Sequence, residues 1–227
     1  MTLVLVAHGT RRPEGSVVVE QIAALLRPRL DVPVLVAYAD VRQPDVTTVL
    51  RSIDGPAVVV PAFLASGYHV RVDVPQQIRA SGRADVVLTA PLGPHPALVG
   101  AMHDRLLESG WRRGDAVVLA AAGSSDARAL ADVRAAAALL SVRTGSVVPV
   151  SFVATAVPRV PDVVAGSPGR VGVASWLLAP GLFHSSLASC GADAVGGPIG
   201  AHPRLVDLVL HRYAAGIVDA STRLSVA

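Results

Sequence analysis

The 227-residue chain contains no lysine and no asparagine, a single cysteine, and only 4% aromatic residues. Without lysine, all 20 basic residues are arginines, which against 17 acids leaves a net charge of +3 and a pI near 9.7. Loss of two residue types together is the mark of codon bias rather than of a built basic surface. The arginines are scattered, and the few aromatics offer no stacking platform. A nucleic-acid partner is therefore not expected. The lone Cys190 excludes an internal disulfide and any cysteine-based iron–sulfur or zinc site within one chain. Charged residues are also sparse, at 16%, and the mean hydropathy is +0.51, so a membrane span has to be weighed. The longest uncharged stretches are 86–102 and 171–192. Pro91, Pro94 and Pro96 interrupt the first, and Pro180, Gly181 and His184 the second. Such breakers fall where a spanning helix could least spare its backbone bonds, so no span is expected. The chain opens on a strand-like run, Thr2 to Ala7, with no basic leader before it. A cytoplasmic protein, monomer or homodimer, is the expectation.

What the sequence has in abundance is Val, Leu and Ala in short runs, the pattern of parallel strands covered on both faces. Strands are predicted near 2–7, 33–39, 56–62 and 85–89, with helices near 15–29, 45–53, 72–81 and 95–109. Turn residues such as Pro13, Pro33, Gly55-Pro56 and Pro91 punctuate the joins. The same order then repeats. Ala7-His8-Gly9-Thr10 lies over Ala121-Ala122-Gly123-Ser124 at an offset of 114, which also places Tyr38 on Phe152, Pro44 on Pro158 and Gly67 on Gly181. Residues 90–96 lie over residues 197–203 at an offset of 107, so seven residues are missing before the last strand of the second half. The fold class expected is α/β: two duplicated doubly wound domains, each a four-stranded parallel sheet flanked by helices, with a cleft between them. The boundary falls at Gly110–Gly114. Residues 1–113 form one domain carrying the active site and 114–227 a repeat with a degenerate one. The tail after Ala215 is weakly patterned.

Ligands of open parallel sheets bind beyond the carboxyl ends of the strands. There the first half places His8, Asp40 and His69, and the second half Ala122, Ala154 and Phe183. The glycines and proline of the scaffold are kept while all three polar residues vanish, which separates chemistry from packing within one chain. Two imidazoles and a carboxylate with no thiolate suit borderline divalent metals such as Fe²⁺, Co²⁺ or Ni²⁺. Imidazole also exchanges protons near neutrality. His8, Asp40 and His69 are thus the expected catalytic and metal-binding residues. His95 and His202 recur in both halves and read as helix-start residues. His103, His184 and His211 read as structural too. Gly123-Ser124-Ser125 is only a weak anion-binding signal.

Thr2-Leu-Val-Leu-Val-Ala-His8-Gly-Thr10, Ala37-Tyr-Ala-Asp40, Gly67-Tyr68-His69-Val-Arg71-Val-Asp73-Val-Pro75 and Ala90-Pro-Leu-Gly-Pro-His95-Pro96 resemble the sirohydrochlorin chelatases of siroheme and cobalamin synthesis, in their two-domain form. The resemblance covers the first half, with the second as a degenerate repeat. It implies a lyase that inserts a divalent metal, Fe²⁺ first and Co²⁺ or Ni²⁺ as alternatives, into sirohydrochlorin with release of two protons. Metal is then a substrate, and no organic cofactor is needed. Many members carry glutamate where this chain has Asp40. Thr10, Arg11, Arg12, Gly67, Tyr68 and Arg71 flank the histidine loops and are the expected substrate-binding residues, the arginines as clamps for the eight substrate carboxylates. The competing readings are a non-catalytic metal or tetrapyrrole carrier and a histidine phosphatase-like site. The latter usually has arginine directly before the histidine, where this chain has Ala7.

Overall fold

The computed structural model describes residues 1–10 and 12–224. Among the described residues eight strands alternate with eight α-helices. The first four strands are β1 (Thr2–Ala7), β2 (Val34–Tyr38), β3 (Ala57–Pro61) and β4 (Val86–Leu88), and their helices α1 (Pro13–Leu26), α2 (Val46–Arg51), α3 (Val74–Ala80) and α4 (Pro96–Glu108). The second series is β5 (Ala116–Ala121), α5 (Ala127–Thr144), β6 (Val150–Phe152), α6 (Val160–Ala165), β7 (Val171–Trp176), α7 (Leu182–Ser186), β8 (Ala194–Val195) and α8 (Pro203–Leu224). Two four-stranded sheets result, ordered β2-β1-β3-β4 and β6-β5-β7-β8, with every pairing parallel. All six residues of β1 are buried, as the uninterrupted apolar run requires of a strand covered on both faces. On one face Val4, Val6 and Val59 pack with Val46, Val49 and Leu50 of α2 and Val74 of α3. Val118, Ala120 and Val173 form the corresponding cluster with Val160 and Val164 of α6. Among the described residues no helix is long and apolar enough to cross a membrane.

Part of the seven-residue deficit falls where the third helix of the second half is short. A π turn (His69–Asp73) leads into α3 in the first half, against α7 and one 3-10 turn in the second. His95 and His202 are helix starts, each Nδ1 accepting the N–H two residues on, from Ala97 at 3.1 Å and Arg204 at 3.2 Å.

The domain boundary expected at residues 110–114 is corrected by the packing. One compact unit is Met1–Leu92 with Leu205–Ala227, and the other is Gly93–Arg204. Helix α4, which follows β4 in sequence, belongs with the second sheet, and α8 with the first. The residues responsible are glycines. A Cβ on Gly172 of β7 would stand 2.4 Å from Trp111 and 3.1 Å from Leu106, so that bare backbone seats the end of α4. A Cβ on Gly216 would stand 2.6 Å from Val58, so α8 lies directly on β3. Helix α8 is further tied by Arg212 Nε to Pro91 O (3.2 Å), by Tyr213 Oη to Met1 O, and by Asp207 Oδ1 to Arg29 Nη1 (2.6 Å). The weakly patterned tail after Ala215 is the continuation of this helix to Leu224.

Candidate metal centre

β1 and β2 run in register, Ala7 opposite Tyr38, and their pairing continues past the assigned strands. Ala39 N–H donates to Ala7 O (2.8 Å) and Asp40 N–H to His8 O (2.9 Å). His8 and Asp40 are therefore neighbours by backbone pairing alone. The repeat reproduces this with Val153 N–H to Ala121 O and Ala154 N–H to Ala122 O, both 2.9 Å. Gly9 then turns away at φ +93°, where a Cβ would meet Asp40 O at 2.0 Å. Gly123 does the same at φ +99°, with Ala154 O at 2.0 Å. That close approach is why the glycine persists in both halves while its neighbours change.

The third residue of the trio arrives from the far side of β1. After β3 the chain loops through residues 62–68 and enters the π turn at His69, closed by Val74 N–H on His69 O. The His8 and His69 rings lie 4.3 Å apart between centroids, tilted at 43°, and Phe63 flanks His8 at 6.3 Å. Potential ligand atoms of His8, Asp40 and His69 all fall within 4.8 Å of one another. Donors about 2.1 Å from one ion are separated by roughly 3.4 Å in tetrahedral and 4.2 Å in trans-octahedral placement. A side-chain adjustment of about 1 Å thus converts the trio into a coordination sphere. His8 and Asp40 are exposed and His69 half-buried, which leaves further coordination positions open.

Desolvation at the strand end, with the charge of His69 added to it, pushes the His8 pKa below the ordinary histidine value, against the opposing pull of Asp40 and Asp73. His8 is thereby held as the neutral imidazole that a metal needs.

The CbiX family model matches residues 2–109. Over that span the chain is similar to sirohydrochlorin chelatases. Sirohydrochlorin cobaltochelatase of Methanothermobacter thermautotrophicus is 28% identical over 127 residues, 46% of this chain and 89% of that one. The chloroplastic sirohydrochlorin ferrochelatase of Arabidopsis thaliana is 26% identical over 113 residues, 46% of this chain and 50% of its own. The likeness to SirB from Bacillus subtilis, solved with Fe³⁺, is one of fold. Its TM-score is 0.83 at 21% identity, with 97% of both chains covered.

The carboxylate expected at the end of the second strand is in place, and it also has a local bond. Asp40 Oδ1 accepts Val41 N–H at 2.7 Å, steadying a turn in which Val41 takes φ +52°. A carboxylate has about four lone-pair positions, so this bond leaves capacity for a cation. The helix cap beside Pro44 is Asp45, whose Oδ1 accepts Thr48 N–H at 2.7 Å. Of the expected substrate-binding residues, Thr10 Oγ1 accepts Arg12 N–H (3.2 Å), Tyr68 is 59% exposed, and Arg71 Nε donates to Ser66 O (3.0 Å) across its own loop. Arg12 and Arg71 are both exposed, and Gly67 O accepts Arg71 N–H at 3.2 Å. Arg11 lies outside the described residues.

Three groups escaped the sequence reading. Asp73 Oδ2 lies 2.6 Å from His69 Nδ1, a pairing that the i, i+4 spacing of His69 and Asp73 could have signalled. Gln77 of α3 donates Nε2–H to Ala39 O (2.7 Å) and accepts Val46 N–H on Oε1 (3.0 Å), joining the helix after His69 to the strand end that carries Asp40. Arg42 Nη1 donates to Thr10 O (3.2 Å), fixing the loop after His8.

Proposed function

We propose that the chain inserts a divalent metal ion into sirohydrochlorin, with His8, Asp40 and His69 as the residues that hold the ion and manage the released protons. The observation that carries this reading is the trio itself: three ligand atoms within 4.8 Å at the carboxyl end of one sheet. The equivalent edge of the other sheet carries Ala122, Ala154 and Phe183 instead.

Insertion exchanges one dication for two pyrrole N–H protons. Two neutral imidazoles and one carboxylate leave a bound dication with a net charge of +1. That is enough attraction to collect the ion, and it leaves the ion transferable to a macrocycle that becomes dianionic as it gives up its protons. Once the metal departs, the vacated imidazoles are bases of the right strength to take those protons. Burial, which lowers the pKa of His8, favours the unprotonated ring that can bind the metal. Thr10, Arg12, Gly67, Tyr68 and Arg71 border this edge and serve the macrocycle and its carboxylates, the arginine forks by bidentate pairing. Arg11 joins them by sequence position.

The donor set accepts Fe²⁺ and Co²⁺ alike. Fe²⁺, giving siroheme, is the proposed physiological metal. Co²⁺ is the second reading, favoured by the cobaltochelatase names of several relatives. An anaerobic absorbance assay with sirohydrochlorin and each metal decides it, set against the uncatalysed rate. Many turnovers per protein support an enzyme, and the faster metal identifies the substrate. Stoichiometric uptake that leaves the free macrocycle unmetallated would show a carrier instead.

A further inference from the structure

We propose that Asp73 is a positioning residue for His69, fixing which ring nitrogen faces the metal. This inference rests on the assignment of His69 as a metal ligand. The Nδ1 of His69 lies 2.6 Å from Asp73 Oδ2, within the range of a charge-assisted bond. A carboxylate accepts and does not donate, so the proton of the neutral ring sits on Nδ1 and its lone pair on Nε2. Without that partner the ring is free to populate both tautomers and to rotate about χ1 and χ2. With it, one nitrogen in one orientation is presented.

The backbone supports the pairing. His69 and Asp73 bound the single π turn of the chain's described residues, whose closing bond runs from Val74 N–H to His69 O. One-turn π segments are frequent at functional sites because they re-aim side chains that a regular helix would place elsewhere. The repeat gives a second, independent indication. At the offset of 114 that carries His69 to Phe183, Asp73 falls on Leu187, which is buried in the apolar core of the second unit. The ligand and the carboxylate have been lost together, as expected if the carboxylate serves the ligand rather than the fold. Asp73 also lines, with Asp40, Gln76 and Gln77, an open groove of about 440 Å³, so its replacement leaves no closed cavity.

The test uses the full chain with Co²⁺ alone and no tetrapyrrole. Nitrogen-15 NMR of histidine-labelled, metal-free protein reads the His69 tautomer, and competition with a chromophoric chelator reads Co²⁺ affinity. In the wild type His69 should show an Nδ1-protonated ring. Asp73→Ala should mix the tautomers and weaken Co²⁺ binding by about 10- to 100-fold, the scale for loss of such an outer partner. Asp73→Asn keeps an acceptor at the same place and removes only the charge. It should preserve the tautomer with a smaller loss of affinity, and it carries the test if Asp73→Ala does not fold. Wild-type tautomer and Co²⁺ affinity within twofold in folded Asp73→Ala, or loss of the tautomer in folded Asp73→Asn, would overturn the assignment. Neither readout involves metal insertion. A protein that shows the Nδ1-protonated ring and binds Co²⁺ but turns over no sirohydrochlorin would count against the proposed function and not against the role of Asp73.

Discussion

Gly9 and Gly123 hold the same positive-φ turn in two copies, one beside the candidate metal centre and one beside its counterpart in the repeat, so a matched pair of alanine substitutions separates stability from chemistry. In each, the new Cβ would sit 2.0 Å from a backbone carbonyl oxygen, of Asp40 and of Ala154 respectively, against an ordinary contact of 3.4 Å or more. Relief requires a backbone shift of more than about 1 Å, and the positive φ is itself costly for any residue with a Cβ. Strain of this kind costs about 1–3 kcal/mol at a single position, and the displaced strand pairing brings the sum to about 3 kcal/mol or more. For a chain of this length that is on the order of 10 °C in Tm. Both variants should therefore lose stability to a similar degree by thermal and urea unfolding. Only Gly9→Ala moves a proposed ligand: the shift falls on residue 40, in a trio whose donor atoms lie within 4.8 Å of one another. Its folded form should bind Co²⁺ at least tenfold more weakly, while folded Gly123→Ala binds as the wild type does. Wild-type stability and Co²⁺ affinity in Gly9→Ala, or equal loss of affinity in folded Gly123→Ala, would refute the reasoning.

Asp40→Asn keeps the acceptor for Val41 N–H but not the charge, so its Tm should stay within about 2 °C while Co²⁺ affinity and turnover fall; an active, tightly binding Asp40→Asn removes Asp40 from the site. Gln77→Ala deletes two bonds to backbone groups around the Asp40 strand end and should cost about 1–3 kcal/mol in urea unfolding, whereas an unchanged midpoint would show that water replaces them. Desolvation leads the causes that hold His8, His103 and His202 below the ordinary histidine pKa, so below pH 6.5 the unfolded chain takes up protons that the folded chain refuses. Stability is thus full above pH 6.5 and declines as the pH falls through the folded values, with a slope of up to about 1.4 kcal/mol per pH unit for each proton not taken up; urea midpoints between pH 7.5 and 5.5 measure it, and a rise on acidification contradicts the sign.

Much of the fold was legible because β1, β2 and β3 are, Thr2 apart, runs of apolar residues and tyrosine, each followed by a proline or glycine turn. The duplication showed through because Gly9/Gly123, Pro44/Pro158 and Gly67/Gly181 share one offset. The exchange of α4 and α8 between sheets was not legible. An amphipathic helix shows its buried face in its period, but not which sheet receives it, and the deciding residues are glycines such as Gly172 and Gly216 with no side chain to read. His8, Asp40 and His69 stood out because their counterparts in the repeat had changed. Asp73 and Gln77 did not, since their roles depend on a π turn and on a helix-to-strand-end contact that periodicity does not encode.

The most direct measurement is the rate of sirohydrochlorin metallation by the wild type, His8→Ala and His69→Ala, with folding of each checked by circular dichroism. Both residues lie beyond strand ends, outside the packed core, so both variants should fold. Each should lose about 10²-fold or more in turnover, the scale for removing a general base. A folded His8→Ala or His69→Ala that metallates sirohydrochlorin within twofold of the wild-type rate would contradict the assignment of this centre.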